Sequence, residues 1–227
     1  MINFNRQIAI TFLLLVGTIL FFEFTNVDLW VQNLFYNFHT HTWLVDRDDK
    51  LLKTIFYTGI KKVLIAVAVL LLFSLAFYKK YKIIDRYKKG IMIVVLSAIF
   101  VPLTVGALKA MTNTPCPKNT DIYGGSYPEV KVLESYPKGF KEKKRIKCWP
   151  AGHASGGFAL LSLFFLFKTP KNRKRAIIFA MVVGWSMGLY KMFIGDHYLS
   201  HTIVTMILAW LIILIIAKFT LKKDKIY

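Results

Sequence analysis

Apolar residues in this chain come in long unbroken runs, and that feature leaves few possible folds. Phe, Leu and Ile crowd together rather than alternate with polar residues, so the runs do not read as half-buried strands. Hydrocarbon offers the backbone no water to bond, so a run of this length is stable there only as a helix that satisfies its own N–H and C=O groups. Six runs are legible, over roughly 8–25, 60–78, 91–109, 153–168, 175–194 and 202–219. They predict an all-α, six-transmembrane helical bundle forming a single membrane domain over 1–227, with no internal repeat. An apolar content of 56% argues against a soluble globular protein. Arg6 ahead of the first run resembles the start of a signal peptide. Phe21-Phe22-Glu23-Phe24 offers no small-residue cleavage site, however, so a retained span is expected.

A formal charge of +19 would suit a nucleic-acid binder if it formed a patch on a soluble surface. Here the basic residues fall mainly in the short connections, as membrane topology places them, which makes anionic lipid the expected partner and nucleic acid not. Lys79, Lys80, Lys82, Arg86, Lys88 and Lys89 follow the second run; Lys168, Lys171, Arg173, Lys174 and Arg175 follow the fourth; Lys218, Lys222, Lys223 and Lys225 mark the tail. With six spans these segments share one side, predicting that both termini are cytoplasmic and that segments 26–59 and 110–152 face outward.

The second outer segment departs from that rule. Lys118, Lys131, Lys138, Lys141, Lys143, Lys144, Arg145 and Lys147 stand against only Asp121, Glu129, Glu134 and Glu142. Such a basic loop either binds phosphate or another anion, or is a solvated surface against lipid head groups. In the first outer segment, Leu29, Trp30, Val31, Leu34 and Phe35 have helical spacing suited to the membrane interface. Asp46, Asp48 and Asp49 flank Arg47; spaced carboxylates can hold a divalent ion, but a solvated turn is the expected form. Cys116 and Cys148 both fall in the basic loop. In an oxidising compartment a disulfide between them is allowed, with two free thiols as the alternative. The disulfide is expected, because the pair borders the segments described next.

Polar groups gather at one end of the predicted bundle. Lys109 ends the third run, Pro150-Ala151-Gly152-His153 opens the fourth, Lys191 lies late in the fifth, and Gly195-Asp196-His197-Tyr198-Leu199-Ser200-His201 leads into the sixth. Ionisable groups at membrane depth are costly and are functional candidates for that reason. Phosphoryl transfer fits them: two histidines can divide nucleophilic attack and proton donation, cations offset the equatorial oxygens, and backbone N–H groups at Gly152 can hold an anion. His197 and His201 are also spaced i, i+4, as metal ligands can be. No Glu follows the first His, and the basic surroundings oppose a cation, so no metal is expected.

At these positions the chain resembles the type 2 phosphatidic acid phosphatases, relatives of the vanadium haloperoxidases. That family shows K-x6-R-P, then P-S-G-H, then S-R-x5-H-x3-D. Lys109, six residues on Cys116 and Pro117, resemble the first; Pro150-Ala151-Gly152-His153 the second; Lys191, five residues, His197, three residues and His201 the third. A subgroup of lipid A phosphatase type carries runs similar to Cys116-Pro117, Tyr123-Gly124-Gly125 and Cys148-Trp149-Pro150-Ala151-Gly152-His153-Ala154-Ser155-Gly156-Gly157-Phe158.

The resemblance implies a metal-free and cofactor-free lipid phosphatase in a bacterial inner membrane, acting on its outer face. His197 would attack phosphorus, His153 would protonate the departing lipid oxygen, and Lys109, Lys191 and Gly152 would hold phosphate oxygens. Four positions differ from the family pattern: Cys116 for Arg, Ala151 for Ser, Lys191 for Arg and His201 for the Asp that orients the nucleophile. A neutral His201 still accepts a hydrogen bond from His197 but stabilises an imidazolium less well. Arg145, Lys147 or Lys118 are candidates for the missing cation. The expected substrate is a phosphorylated membrane lipid of the lipid A, undecaprenyl diphosphate or phosphatidic acid type. A lipid phosphotransferase and a silent lipid-phosphate-binding protein are the rival readings.

Overall fold

Asn3 opens the first helix by accepting the Arg6 N–H on its side-chain oxygen, at 3.1 Å. In the computed structural model, which describes residues 3–222, helix α1 then runs Phe4–Glu23. Lys223 and Lys225 of the basic tail lie outside the described residues. After α1 come α2 (Val27–Asn33) and a two-stranded antiparallel hairpin, β1 (Tyr36–Asn37) and β2 (Thr42–Trp43). Among the described residues these are the only strands, so the all-α reading holds.

The acidic group around Arg47 is a capped turn, as expected. Asp46 Oδ1 accepts the Asp48 N–H, and Asp49 accepts those of Leu51 and Leu52 to start α3 (Lys50–Lys53). A π-helical turn, Thr54–Gly59, joins α3 to α4 (Ile60–Ala76). Then follow α5 (Lys82–Met111), α6 (Gly152–Ala159), α7 (Leu163–Leu166), α8 (Pro170–Phe193) and α9 (Leu199–Lys222).

Among the described residues, five helical segments are long and apolar enough to cross a membrane: Phe4–Glu23, Lys50–Ala76, Lys82–Met111, Pro170–Phe193 and Leu199–Leu221. The expected sixth span is shorter. The segment Gly152–Leu166 is split into α6, a 3-10 turn at Leu160–Ser162 and α7, and at about 1.5 Å per residue it falls short of the hydrocarbon thickness. Its Gly-rich start lets it sit deep among longer neighbours. A Cβ added to Gly157 would lie 2.6 Å from the Gly184 Cα of α8, so these backbones meet with no side chain between them. Phe158, fully buried beside this contact, anchors a core with Val101, Ala154, Ala180, Ala209 and Ile213.

The basic loop between α5 and α6 is tied down rather than loose. Cys116 and Cys148 form the expected disulfide, with Cα atoms 5.2 Å apart. Cross-linking a loop of this length contributes about 3–4 kcal/mol in the chain-entropy account. Cys148 N donates to Thr114 O at 3.2 Å, and Tyr127, Tyr136, Phe140 and Ile146 pack around the bridge. Two 3-10 turns, Pro117–Asn119 and Asp121–Tyr123, carry the chain from Cys116 across to the α8–α9 connection. There Lys118 N donates to Gly195 O at 3.0 Å.

Candidate active site

The alternating direction of the helices brings the polar residues together. Lys109 is in the last turn of α5, Gly152 and His153 open α6, Lys191 is in the last turn of α8, and His201 is in the first turn of α9. C-terminal and N-terminal ends therefore meet at one end of the bundle. Lys109 Nζ lies 3.8 Å from where a Gly152 Cβ would be, close to the first N–H groups of α6.

His197 owes its position to the turn that closes α8. Asp196 N and His197 N both donate to Lys191 O, at 2.8 and 3.3 Å, and Gly195 takes a left-handed φ of +70° to make that turn. Only glycine serves there for a second reason: an added Cβ would lie 2.4 Å from the Trp43 indole. The imidazoles of His197 and His201, both 2% exposed, meet Nδ1 to Nδ1 at 3.3 Å, so one ring donates and the other accepts. The i, i+4 spacing thus brings the two rings together although α9 begins only at Leu199.

His153 faces His197 with ring centroids 6.4 Å apart, and its Nδ1 is buried with no hydrogen-bond partner among the described residues. The Tyr57 ring, from the π-helical turn, lies 4.5 Å from that of His153, with the Lys191 ammonium 4.4 Å from the Tyr57 centroid. One hydroxyl joins the two histidine segments. Thr205 Oγ1 accepts from Ala151 N at 2.9 Å and lies 2.7 Å from His201 O, to which it donates.

The centre of charge is a residue that sequence reasoning assigned no role. Asp196 pairs through Oδ1 with Arg47 and with Lys118 Nζ at 2.7 Å, and through Oδ2 with Lys191 Nζ at 2.9 Å. Lys118 is therefore the candidate cation from the basic loop that reaches the α8–α9 turn. Arg145 does not join this cluster: its guanidinium donates to Met111 O at 2.6 Å, at the end of α5. Lys147 is exposed. Arg47, 149 residues from Asp196, had no local signal beyond its acidic neighbours. Asp196 had one: it directly precedes His197.

Burial and charge tune the groups of this turn. Burial pushes the His197 imidazole well below the ordinary histidine value, and His201, Lys109, His153 and Lys191 push it the same way, so it is neutral at pH 7. Burial alone would raise the Asp196 carboxyl, but Lys191 and Lys118 outweigh it and hold the group below the usual range. Nearby, on the other side of Ser200, Asp28 Oδ1 accepts the Ser200 N–H at 2.8 Å; burial raises this carboxyl to about 6.

Cys148 Sγ, His197 and His201 place three possible ligand atoms within 4.8 Å of one another. The sulfur belongs to the disulfide and offers no thiolate. Two imidazoles flanked by lysines make a poor cation site, in keeping with the charge argument from the sequence.

A family model described as the PAP2 superfamily matches residues 90–225. The chain is also 27% identical over 189 residues to a lipid A 4'-phosphatase of Francisella tularensis subsp. novicida (strain U112), a match covering 82% of each chain. No solved structure matches significantly.

Proposed function

The chain belongs to the PAP2 superfamily, and on that premise we propose that it hydrolyses a phosphate from a membrane lipid through a phosphohistidine on His197. The observation that carries this reading is the opposition of His153 and His197, ring centroids 6.4 Å apart, beside Lys109, Lys191 and the N-terminus of α6. Because Nδ1 of His197 faces His201, the nitrogen left for phosphorus is Nε2. That assigns the tautomers: His197 carries its proton on Nδ1 and donates it to His201 Nδ1, which accepts.

Nε2 of His197 attacks phosphorus while His153 passes a proton to the departing lipid oxygen. Water then attacks the phosphohistidine, its proton returns to His153, and phosphate leaves. Lys109, Lys191 and the Gly152 N–H hold the phosphate oxygens, with Lys118 in the role that Cys116 has given up. Catalysis is mostly positioning and charge, as phosphoryl transfer requires.

Lipid A is the leading substrate because the relative is a lipid A 4'-phosphatase; undecaprenyl diphosphate and phosphatidic or phosphatidylglycerol phosphates follow. The site sits at the bundle end away from the basic connections 79–89 and 168–175. This supports a bacterial inner-membrane enzyme with an outward-facing site and both termini in the cytoplasm.

The test is radiolabelled lipid phosphate incubated with the purified protein and its His197→Ala variant. Wild type is expected to release phosphate and the variant not. Equal release from both would overturn the phosphohistidine. No release from wild type on any lipid of the panel would favour a silent binding protein, and label on a second lipid would favour transfer.

A further inference from the structure

Among the charged clusters of the described residues, the one on Asp196 is the most out of proportion to its anion. Arg47 comes from the turn after β2, Lys118 from the disulfide-tied loop and Lys191 from the end of α8, and all three meet one carboxylate. A carboxylate needs one such partner. Bringing three like charges together around it, with Lys109 nearby, leaves a surplus of positive charge that a single negative charge does not balance. The surplus matches an anion of higher charge.

We propose that Asp196 is a built-in competitor for the substrate phosphate: its carboxylate and a phosphate monoester dianion contend for Arg47, Lys118 and Lys191. This deepens the phosphatase reading and rests on it, since Lys191 is one of the cations assigned to phosphate there. The position suits the role. The Asp196 backbone is pinned by its bond to Lys191 O, so only its side-chain torsions need change for the carboxylate to withdraw. Arg47 is the most open of the three cations, its side chain 42% exposed against 10% for Lys191, so an entering phosphate meets it first. Its planar fork also restores the bidentate phosphate contact that neither Lys191 nor Cys116 supplies.

Two consequences follow. A phosphate dianion repays the displacement of Asp196, whereas a phosphodiester with one charge replaces one monoanion by another and gains little. The site therefore selects terminal phosphate groups over the diester phosphates of ordinary lipids. After hydrolysis the carboxylate reclaims the cations and helps inorganic phosphate leave, so removing it strengthens product binding.

The experiment is calorimetric binding of inorganic phosphate, methyl phosphate and dimethyl phosphate to the full-length protein in detergent, which needs no turnover. Asp196→Asn is expected to bind inorganic phosphate at least tenfold more tightly than wild type, and to bind dimethyl phosphate that wild type refuses. Arg47→Gln is expected to bind inorganic phosphate at least tenfold more weakly. Unchanged or weaker phosphate binding in Asp196→Asn would overturn the competition while leaving the phosphatase reading standing. Phosphate binding by no form of the protein would overturn both. Should Asp196→Asn not fold, wild type alone decides: methyl and dimethyl phosphate binding equally well would sink the proposal.

Discussion

The helices before residue 80 and those after it meet different demands. In α1 and in the Lys50–Ala76 segment, 6% and 0% of the most apolar stretch is buried within the protein; for α5, α8 and α9 the shares are 39%, 44% and 50%. Leu13, Leu70 and Phe73 on the outer helices have only lipid to satisfy, so length and hydrophobicity suffice. Phe158, Gly157 and Gly184 must fit one another in shape. The family match begins at residue 90, with the shaped half. Yet the first half is not mere padding. Its hairpin sets Trp43 against Gly195, the turn after the hairpin pairs Arg47 with Asp196, and the π-helical turn lays Tyr57 against His153. The lesson is a division of labour in which the later helices hold the histidine geometry and the earlier segment trims and charges it.

The sharpest break in that comparison is His197→Ala, in the later half. It is expected to lower labelled phosphate release by about a thousandfold or more, the scale seen when a nucleophile is lost. Opening the Cys116–Cys148 bridge comes next. Cys116→Ser/Cys148→Ser is expected to lose about 2–4 kcal/mol of stability, read as the unfolding midpoint in detergent without reductant. Reductant should destabilise wild type and leave the double variant unmoved.

Gly157→Leu forces a side chain into the Gly184 backbone and is expected to cost about 1–3 kcal/mol. The matched change on the lipid-facing α4, Leu70→Ala, is expected to stay within about 0.5 kcal/mol. Equal effects from this pair would erase the distinction between the two halves.

The smallest effect is a pH dependence. His197 is held neutral in the folded protein, with its affinity for protons far below the ordinary histidine value of 6.5. Its contribution is complete above about pH 6.5 and shrinks as pH falls toward the folded value, because the unfolded chain then binds the extra proton. Asp28 works in the opposite sense: raised to about 6, its buried charge costs stability above that pH and the cost fades below it. Comparing wild type with His197→Gln at pH 7.5 and 5.5 isolates the first term. The stability gap should move against wild type at the lower pH.

Much of this was legible in the sequence because the signals were local. A span needs only a long apolar run, so five of the six runs fall on membrane-length helices, although the runs beginning at 60 and 91 start ten and nine residues after their helices do. The sixth read as a full span on hydropathy, which is blind to the Gly-rich opening and the 3-10 break at Leu160–Ser162. His153, His197, His201, Lys109 and Lys191 were legible because motif spacing records which helix end each occupies. Arg47 was not, since nothing within a few residues of it reports a partner across the fold. Arg145 and Lys118 looked equivalent as loop cations. They part only because the Lys118 backbone is tied to Gly195, while Arg145 turns back to α5.

The Thr205 hydroxyl has one more consequence. By accepting from Ala151 N and donating to His201 O, it makes the offset between α6 and α9 a single quantity rather than two independent ones. Slippage of one helix end past the other would change the gap between His153 and His197, and a misplacement of about an ångström is enough to matter where two groups must act on one bond. A bundle that flexes with its bilayer can therefore deform as a whole while this alignment error stays small.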